Sequence, residues 1–499
     1  MADTKREIER KYESDDSGLP DLTGVGAVAN VLDKGLVVLD ATYYDTADER
    51  LAAASLTLRR RTGGSDAGWH LKFPVAPGIR DEIRAPLSDT VPDEIAALVR
   101  ARVRGAELIP VVRLRSARDV SHLVDAAGAL LAEVSIDTVD AERLNRDGGT
   151  AQWTEIEVEL ADDGDPALLD LVEKRLRKAG VRPSKSPSKL ARALRGTGGP
   201  RPRRADRAEP VTAGDHVLAY VREQRDTILT CDPAVRRDLP DSVHKMRVAT
   251  RRTRSAFRAF GAVLDRAVTD PIAAELKWLA GELGLDRDQE VLAERLTSAL
   301  DALPPDLVAG PVRHRLTSWA SARHGRTRGH LLAVLDSARY LALLDTLDAL
   351  LAEPPLRQKA AGKPDKTLAA AVHKDLAKVS RLVTRALDLP SGADRDLALH
   401  DARKKAKRTR YAAEAATPAL GGRARALAKS MKSLTSLLGD HQDSVMARHT
   451  LRELSAVAHA AGESAFTYGL LYGREEQRAT ADEAELPELW REIASGIPG

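Results

Sequence analysis

The 499-residue chain has a single cysteine, Cys231, and aromatic residues make up only 3% of it. One cysteine excludes a disulfide-stapled scaffold and any structural zinc site built on thiolates. Cys231 itself is expected to be a small buried hydrophobe. No uncharged apolar run approaches the roughly 18–20 residues that cross a bilayer, so no membrane partner is expected. The opening stretch, MADTKREIERKYE, lacks the apolar segment of a secretory signal. A reduced, cytoplasmic setting is the expectation that follows. There is no Walker A loop, no GxGxxG unit opening a helix and no HExxH motif to suggest nucleotide-fold or zinc-protease chemistry.

What the chain has is charge. Charged residues make up 30% of it, yet 77 Lys and Arg against 74 Asp and Glu leave a net of only +3. Residues 1–210 hold 33 basic and 36 acidic side chains, and residues 211–499 hold 44 and 38. Neither imbalance means much unless the charges are sorted onto faces. The length predicts two to four domains.

Two halves read differently. Residues 1–195 carry short alternating runs at 7–11, 56–61, 69–73, 111–115, 131–137 and 153–160, with helical patterns near 91–104, 166–179 and 187–195. A Gly/Pro/Arg stretch over 196–211 has no apolar period and reads as a linker. From residue 212 to about 490 nearly everything has the 3.6-residue period. The predicted architecture is multidomain, with an α+β unit followed by an all-α unit.

In a strand, residues i, i+2 and i+4 share a face. Glu7, Glu9 and Lys11 therefore project together, with Ile8 opposite. Glu155, Glu157 and Glu159 do the same, with Ile156 and Val158 opposite. Thr57, Arg59 and Arg61 form a third row, His70 and Lys72 a fourth, Arg113 and Arg115 a fifth, and Glu133, Ser135 and Asp137 a sixth. One such row fits a solvated sheet face. Six of them suit a barrel with a polar lumen and an aliphatic outside. A Glu triplet on one face is costly unless cations or metals neutralise it. Carboxylates suit Mg²⁺ or Mn²⁺, and Arg and Lys suit phosphate oxygens. The combination points to a site for a polyanion with a divalent metal.

These residues resemble the CYTH, or triphosphate tunnel metalloenzyme, superfamily. Glu7-Ile8-Glu9-Arg10-Lys11 has its ExExK signature. Tyr43 to Thr46, Leu58 to Arg61, Leu71-Lys72, Glu155 to Leu160 and Ser188-Lys189 follow in the family's order over about residues 3–195. The resemblance implies an eight-stranded antiparallel β-barrel tunnel binding a triphosphate substrate with divalent metal. It implies Glu7, Glu9, Glu155, Glu157 and Glu159 as metal ligands. Lys11, Arg59, Arg61, Lys72, Arg113, Arg115 and Lys189 would bind phosphates, and Lys11 and Asp137 are the catalytic candidates. Many members carry arginine where Thr57 stands, and Arg60 or Arg61 could compensate.

The helical half repeats itself. His244 to Arg258 resembles His400 to Glu414 at an offset of 156 residues, and Leu283-Gly284 resembles Leu438-Gly439 at 155. His244, Arg247, Arg251, Arg254 and Arg258 lie 3 or 4 residues apart, a stripe roughly 22 Å long on a helix. His400, Arg403, Lys407 and Arg410, thickened by Lys404 and Arg408, form a second stripe. Lys374, Lys378 and Arg381 begin a third. Acids such as Asp286, Asp288 and Glu290 lie elsewhere, and Asp288 and Asp443, at equivalent repeat positions, are expected to pair with the basic residues. Such sorting favours an anion-binding surface. The scarcity of aromatics argues against a reader of single-stranded nucleic acid, and phosphate-only binding to duplex DNA stays open.

This repeat is similar to the CHAD domain, a helical domain often found behind CYTH. The resemblance implies two four-helix units around a basic groove that binds inorganic polyphosphate, on polyphosphate granules as well as in the cytoplasm. Asp401 stands where the first copy has Lys245. Three functions remain open. The first is a divalent-metal-dependent hydrolase of inorganic triphosphate or a triphosphate-bearing substrate. The second is a class IV-type adenylate cyclase. The third is a non-catalytic polyphosphate-binding scaffold with a degenerate tunnel.

Overall fold

A computed structural model of the chain describes residues 3–14, 18–145, 148–198, 209–284 and 287–496, without the side chains of 287–290 and 322–327. Most of the linker and the side chains of Asp286, Asp288 and Glu290 lie outside the described residues. The chain divides into two compact units, Met1–Arg207 and Ala208–Gly499. Among the described residues no helix is long and apolar enough to cross a membrane.

The first unit contains β1 (Asp3–Glu13), β2 (Asn30–Asp45), α1 (Arg50–Ala53), β3 (Thr57–Thr62), β4 (Gly68–Ala76), β5 (Ile79–Ala85), α2 (Asp93–Val103), β6 (Ile109–Val124), β7 (Leu130–Arg143), β8 (Thr150–Leu160), α3 (Ala167–Lys178), β9 (Arg182–Pro183) and α4 (Lys189–Gly196). Strands run in the order β5-β4-β3-β2-β6-β7-β8-β1, every pair is antiparallel, and β1 also pairs with β5. That pairing closes an eight-stranded barrel, and the two-residue β9 adds onto β1. Closure removes the exposed sheet edges that would otherwise invite aggregation.

Alternation along β1, β3, β4, β5 and β8 sends charged groups inward and places apolar side chains outside the barrel. Outside, Leu58, Trp69, Leu71 and Ile83 are buried under Ile95, Leu98 and Val99 of α2. Tyr12, Val134, Ile156 and Val158 are buried under Leu168, Leu169 and Val172 of α3. One end of the lumen is different. There Ala41, Tyr43, Val112, Leu114 and Val139 form an apolar floor, and α4 packs on it with Leu190, Ala193 and Leu194. The Ser188 hydroxyl caps α4 by accepting the Ala191 N–H at 3.1 Å. The first residue of the helix, Lys189, is thereby fixed where the lumen turns from apolar to charged.

The six alternating runs all fall in strands, but β2 and β5 had no counterpart among them. β2 reads Leu36-Val37-Val38-Leu39 without alternation because Val37 and Leu39 line the lumen while Leu36 and Val38 are exposed. β5 spans seven residues directly after the turn that follows β4.

The second unit is helical: α5 (Ala213–Arg236), α6 (Ser242–Ala259), α7 (Arg266–Glu282), α8 (Arg287–Asp301), α9 (Val312–Asp336), α10 (Ala338–Ala352), α11 (Pro364–Asp388), α12 (Ala393–Leu420), α13 (Gly422–Ala460) and α14 (Phe466–Ser495). Helices α11 to α14 share one core, with Val379, Leu399, Leu434 and Leu486 buried in it. In the first copy α5, α6 and α7 pack in sequence. At the same 155-residue offset α8 aligns with the second half of α13 and α9 with α14, and these helices share a core through Leu296, Leu316, Leu451 and Leu471. Helices α6 and α12, which carry the two halves of the repeat motif, pack against each other. Cys231 is buried, and burial pushes its thiol up to about 11.

Candidate active site and polyanion groove

The barrel encloses a cavity of about 530 Å³ lined by charged side chains from nearly every strand. Antiparallel register sets the pairs: Glu9 lies opposite Glu159 and Lys11 opposite Glu157, Arg118 opposite Asp137, and Glu133 opposite Glu159. Neighbouring carboxylates on β1, β7 and β8 would repel strongly in so confined a space. Cations relieve them. Lys11 Nζ donates to Glu9 Oε2 at 3.0 Å and also meets Glu157. Lys72 Nζ lies 2.5 Å from Glu7 Oε2, and Lys5 Nζ lies 2.7 Å from Glu159. Lys189 Nζ sits among three acids, 2.9 Å from Asp137, 2.9 Å from Glu155 and 2.5 Å from Glu157.

Burial sharpens these pairings. It would lower the Lys11 ammonium, but Glu157 and Glu9 outweigh it and hold the group above its ordinary value. These two acids therefore keep Lys11 in the protonated form, a hydrogen-bond donor. The same contest, won by Asp137, Glu157 and Glu155, raises Lys189. Burial would raise Glu157, yet Lys11, Lys189 and Arg118 hold it well below the usual carboxylate range. Glu7 goes the other way: its burial, with Glu82 and Glu159 close, outweighs Lys72 and raises its carboxyl.

Carboxylate oxygens of Asp137, Glu155 and Glu157 lie within 4.8 Å of one another, all three residues buried. An all-oxygen donor set of this spacing fits a hard divalent cation, which neither thiolate nor imidazole would select. The Lys189 ammonium supplies the positive charge at this centre. Asp137 is further gripped by the Arg118 guanidinium at 2.7 and 2.9 Å.

The structure moves one sequence-predicted row off the cavity. Arg113 and Arg115 do not line it; Arg113 forms a two-pronged pair with Asp40, 2.9 Å from Oδ1 and 2.5 Å from Oδ2, and Arg115 is exposed. Strand β6 changes character along its length: its inward positions are apolar at Val112 and Leu114, over the floor beneath α4, and turn polar at Ser116 and Arg118. The rule that polar residues face inward therefore selects the wrong face for residues 113 and 115. Arg118 was missed for the same reason. Arg80, Glu82 and Arg84 were also missed, although their alternation against Ile83 and Ala85 was a usable signal. Glu82 is fully buried, 2.9 Å from His70 Nδ1, 2.5 Å from Arg84 Nε and 3.4 Å from Lys72 Nζ. Arg59, Arg61, Lys72 and Thr57 all line the cavity. Arg61 pairs with Asp66, and its burial, with Arg59 and Arg118 close by, pushes it down to about 9.

In the second unit the stripes on α6 and α12 converge. Arg254 feels Arg258, Arg251 and Arg408, and burial together with these charges lowers it. Lys407 is pushed down to about 7 by burial, then by Arg403, Arg251 and Arg410. Like charges gathered at this density favour an anion between them. The two glycines occupy matching places: a Cβ at Gly284 would stand 3.1 Å from the Arg247 guanidinium, a crowded distance, and one at Gly439 would stand 3.4 Å from that of Arg403, an ordinary contact. Asp443 lies near Arg403 and Lys407, and burial raises its carboxyl against them. Elsewhere the stripes diverge. Arg410 turns to Glu414 at 3.4 Å and over the Tyr411 ring, Lys404 is exposed beside Asp401 at 3.3 Å, and His244 is exposed. His400 is half-buried, and burial, then Lys404 and Arg403, lowers it. On α11, Lys374 and Arg381 are exposed, while Lys378 lies near the buried pair of Lys405 and Asp375.

A closed antiparallel barrel with a charged lumen, followed by a helical unit whose repeated motif gathers basic side chains, defines a two-domain architecture. The chain belongs to the family that joins these domains: the CYTH domain model matches residues 5–194, and the CHAD domain model matches residues 219–452. It is 40% identical to the uncharacterized protein Rv2226 of Mycobacterium tuberculosis, over 98% of this chain and 97% of that one. Among solved structures it is similar to PptA from Streptomyces chartreusis, with 22% identity, 56% of this chain and 99% of that chain covered, and a TM-score of 0.48. It is also similar to the CHAD domain from the plant Ricinus communis, with 25% identity, 58% and 92% covered, and a TM-score of 0.45.

The placement of β6 separates its arginines experimentally. Arg118→Ala should weaken binding of inorganic tripolyphosphate at least tenfold by calorimetry, whereas Arg113→Ala and Arg115→Ala should stay within twofold of the parent. Equal losses in all three would contradict the placement.

Proposed function

We propose that the first domain hydrolyses a phosphoanhydride bond of inorganic triphosphate or a triphosphate-bearing substrate with Mg²⁺ or Mn²⁺, and that the second binds inorganic polyphosphate. The observation that carries the first part is the set of carboxylates and cations in direct contact inside one lumen. Each pair is a latent site: its acid suits a metal and its base suits a phosphate.

In this reading Glu7, Glu9, Glu157 and Glu159, with Glu155 and Asp137 beside them, hold the metal. A bound divalent ion would polarise phosphate oxygens and lower the pKa of water. Lys11, Arg59, Arg61, Lys72, Arg118 and Lys189 bind the phosphate chain, Arg118 taking the place expected for Arg113 and Arg115. The cations are held by buried carboxylates before substrate arrives, so little reorganisation is needed as charge develops on the leaving phosphate. Lys11, kept protonated, is suited to donate to that leaving oxygen. The convergence of Arg251, Arg254, Arg258, Arg403, Lys407 and Arg408 supports the second part, and association with polyphosphate granules would follow from it.

Glu7→Ala and Glu159→Ala should each abolish Mg²⁺- or Mn²⁺-dependent phosphate release from tripolyphosphate without unfolding the chain, as followed by phosphate assay and circular dichroism. Unchanged turnover in both would sink the site. Analysis of products from ATP distinguishes hydrolysis from cyclisation, with inorganic phosphate expected and cyclic AMP contradicting the reading.

Replacing Arg247, Arg251, Arg403 and Lys407 together should weaken polyphosphate binding and flatten its salt dependence, because fewer counterions are exchanged. A filter-binding assay with no loss would rule out the groove.

A further inference from the structure

Three helices of the second domain bring one imidazole and two carboxylates together. His441 on α13 is only 2% exposed, and its Nε2 lies 3.2 Å from Glu483 Oε1 on α14 and 3.4 Å from Asp396 Oδ1 on α12. The three ligand atoms fall within 4.8 Å of one another. The other oxygen of each carboxylate is held from behind. Glu483 Oε2 accepts from the Ser391 hydroxyl at 2.8 Å and lies 3.3 Å from Arg395 Nε, and Asp396 Oδ2 lies 3.6 Å from Arg448 Nη2.

The spacing suits a bound ion better than a simple ion pair. A charge-assisted N–H···O contact closes to about 2.7–2.9 Å, and one Nε2–H can point at only one of two acceptors. A tetrahedral ion with bonds of about 2.0–2.1 Å sets its ligand atoms roughly 3.3 Å apart, which falls between the two separations seen here. Arg395, Ser391 and Arg448 stand where the outer partners of metal-bound carboxylates stand. Further acid crowds the site. Asp482 lies within the influence of Asp440 and His441, with Arg295 opposing them, and its Oδ2 is buried with no hydrogen-bond partner among the described residues. An imidazole beside carboxylates favours a transition metal over Mg²⁺.

The duplication does not supply this arrangement twice. At the repeat's offsets the first copy has Pro240, Asp286 and Arg328 in these places, with no imidazole among them. The position along the helices is also informative. Asp396 is one turn before His400 on α12, and on α13 His441 stands between Gly439 and Asp443, both of which lie near Arg403. A cation at His441 would pin α13 to α12 at the level of the second basic stripe.

We propose that Asp396, His441 and Glu483 bind one divalent transition-metal ion of the Zn²⁺ type, which ties α12, α13 and α14 together. Water or the Asp482 carboxylate takes the fourth position.

The test titrates tag-free full-length protein with Zn²⁺ in excess Mg²⁺, by calorimetry and X-ray absorption. One Zn²⁺ should bind with an imidazole nitrogen in its coordination shell, and it should raise the melting temperature, as a ligand of the folded state does. The tunnel's cluster of Asp137, Glu155 and Glu157 has only oxygen donors, so nitrogen ligation reports the helical site. His441→Ala and the near-isosteric Asp396→Asn and Glu483→Gln should each weaken Zn²⁺ binding at least tenfold and remove the thermal shift, with circular dichroism confirming the fold. Glu157→Gln in the tunnel should leave the affinity within twofold. Absence of Zn²⁺ binding, an all-oxygen shell, or an unchanged affinity in Asp396→Asn and Glu483→Gln would overturn the proposal.

Discussion

Carboxylates confined in a closed lumen must be neutralised, and much of the first domain is arranged around that requirement. Glu155, Glu157 and Asp137 converge on one point, and Lys189 brings a single ammonium within 2.9 Å of all three. For that ammonium to be there, α4 must start at residue 189. Ser188 must cap it, and Leu190 and Leu194 must seat it on the apolar floor of the barrel. The helix thus closes one end of the lumen and charges it at once. An uncompensated acid at this depth would cost several kcal/mol or would protonate.

The same pairing stores the chemistry. Ion pairs this buried add little net stability by themselves, because desolvation offsets their attraction. Their value here is in exchange: a divalent cation can take the carboxylates while phosphate oxygens take the freed ammonium and guanidinium groups. The helical domain uses charge in the opposite way. Its helices α6 and α12 gather arginines and a lysine whose mutual repulsion, together with burial, pushes Lys407 down to about 7. In the first domain acids and bases pair within one lumen, whereas in the second like charges are gathered on neighbouring helices.

Much of this was legible in the sequence, and the failures have a common origin. The row at Glu155 was readable because its opposite face, Ile156, Val158 and Leu160, is uniformly aliphatic; the rows at Glu7 and Arg59 have Ile8 and Leu58 opposite but also Arg10 and Arg60. The row at Arg113 misled because β6 crosses from an apolar floor to a charged wall, so its inward face is greasy at Leu114 and cationic at Arg118. Lone-strand alternation carries no record of what fills the lumen at each level. The part played by Glu82 is tertiary, since its partners His70, Lys72 and Arg84 come from β4 and β5. In the helical domain the two glycine anchors of the repeat were visible, but their reason was not. An added Cβ at Gly284 would crowd Ala280 O and the Arg247 guanidinium, and Gly439 lies against Arg403.

The central claim is that the tunnel's acids and bases exchange partners, acids to metal and bases to phosphate, at one place. Electron–nuclear double resonance on the full-length protein with one equivalent of Mn²⁺ and a non-hydrolysable imido-triphosphate tests this directly. The account predicts protein-bound Mn²⁺ with clear ³¹P coupling, and loss of that bound species in Glu157→Gln. Bound Mn²⁺ without phosphorus coupling, or coupling unaffected by Glu157→Gln, would contradict it.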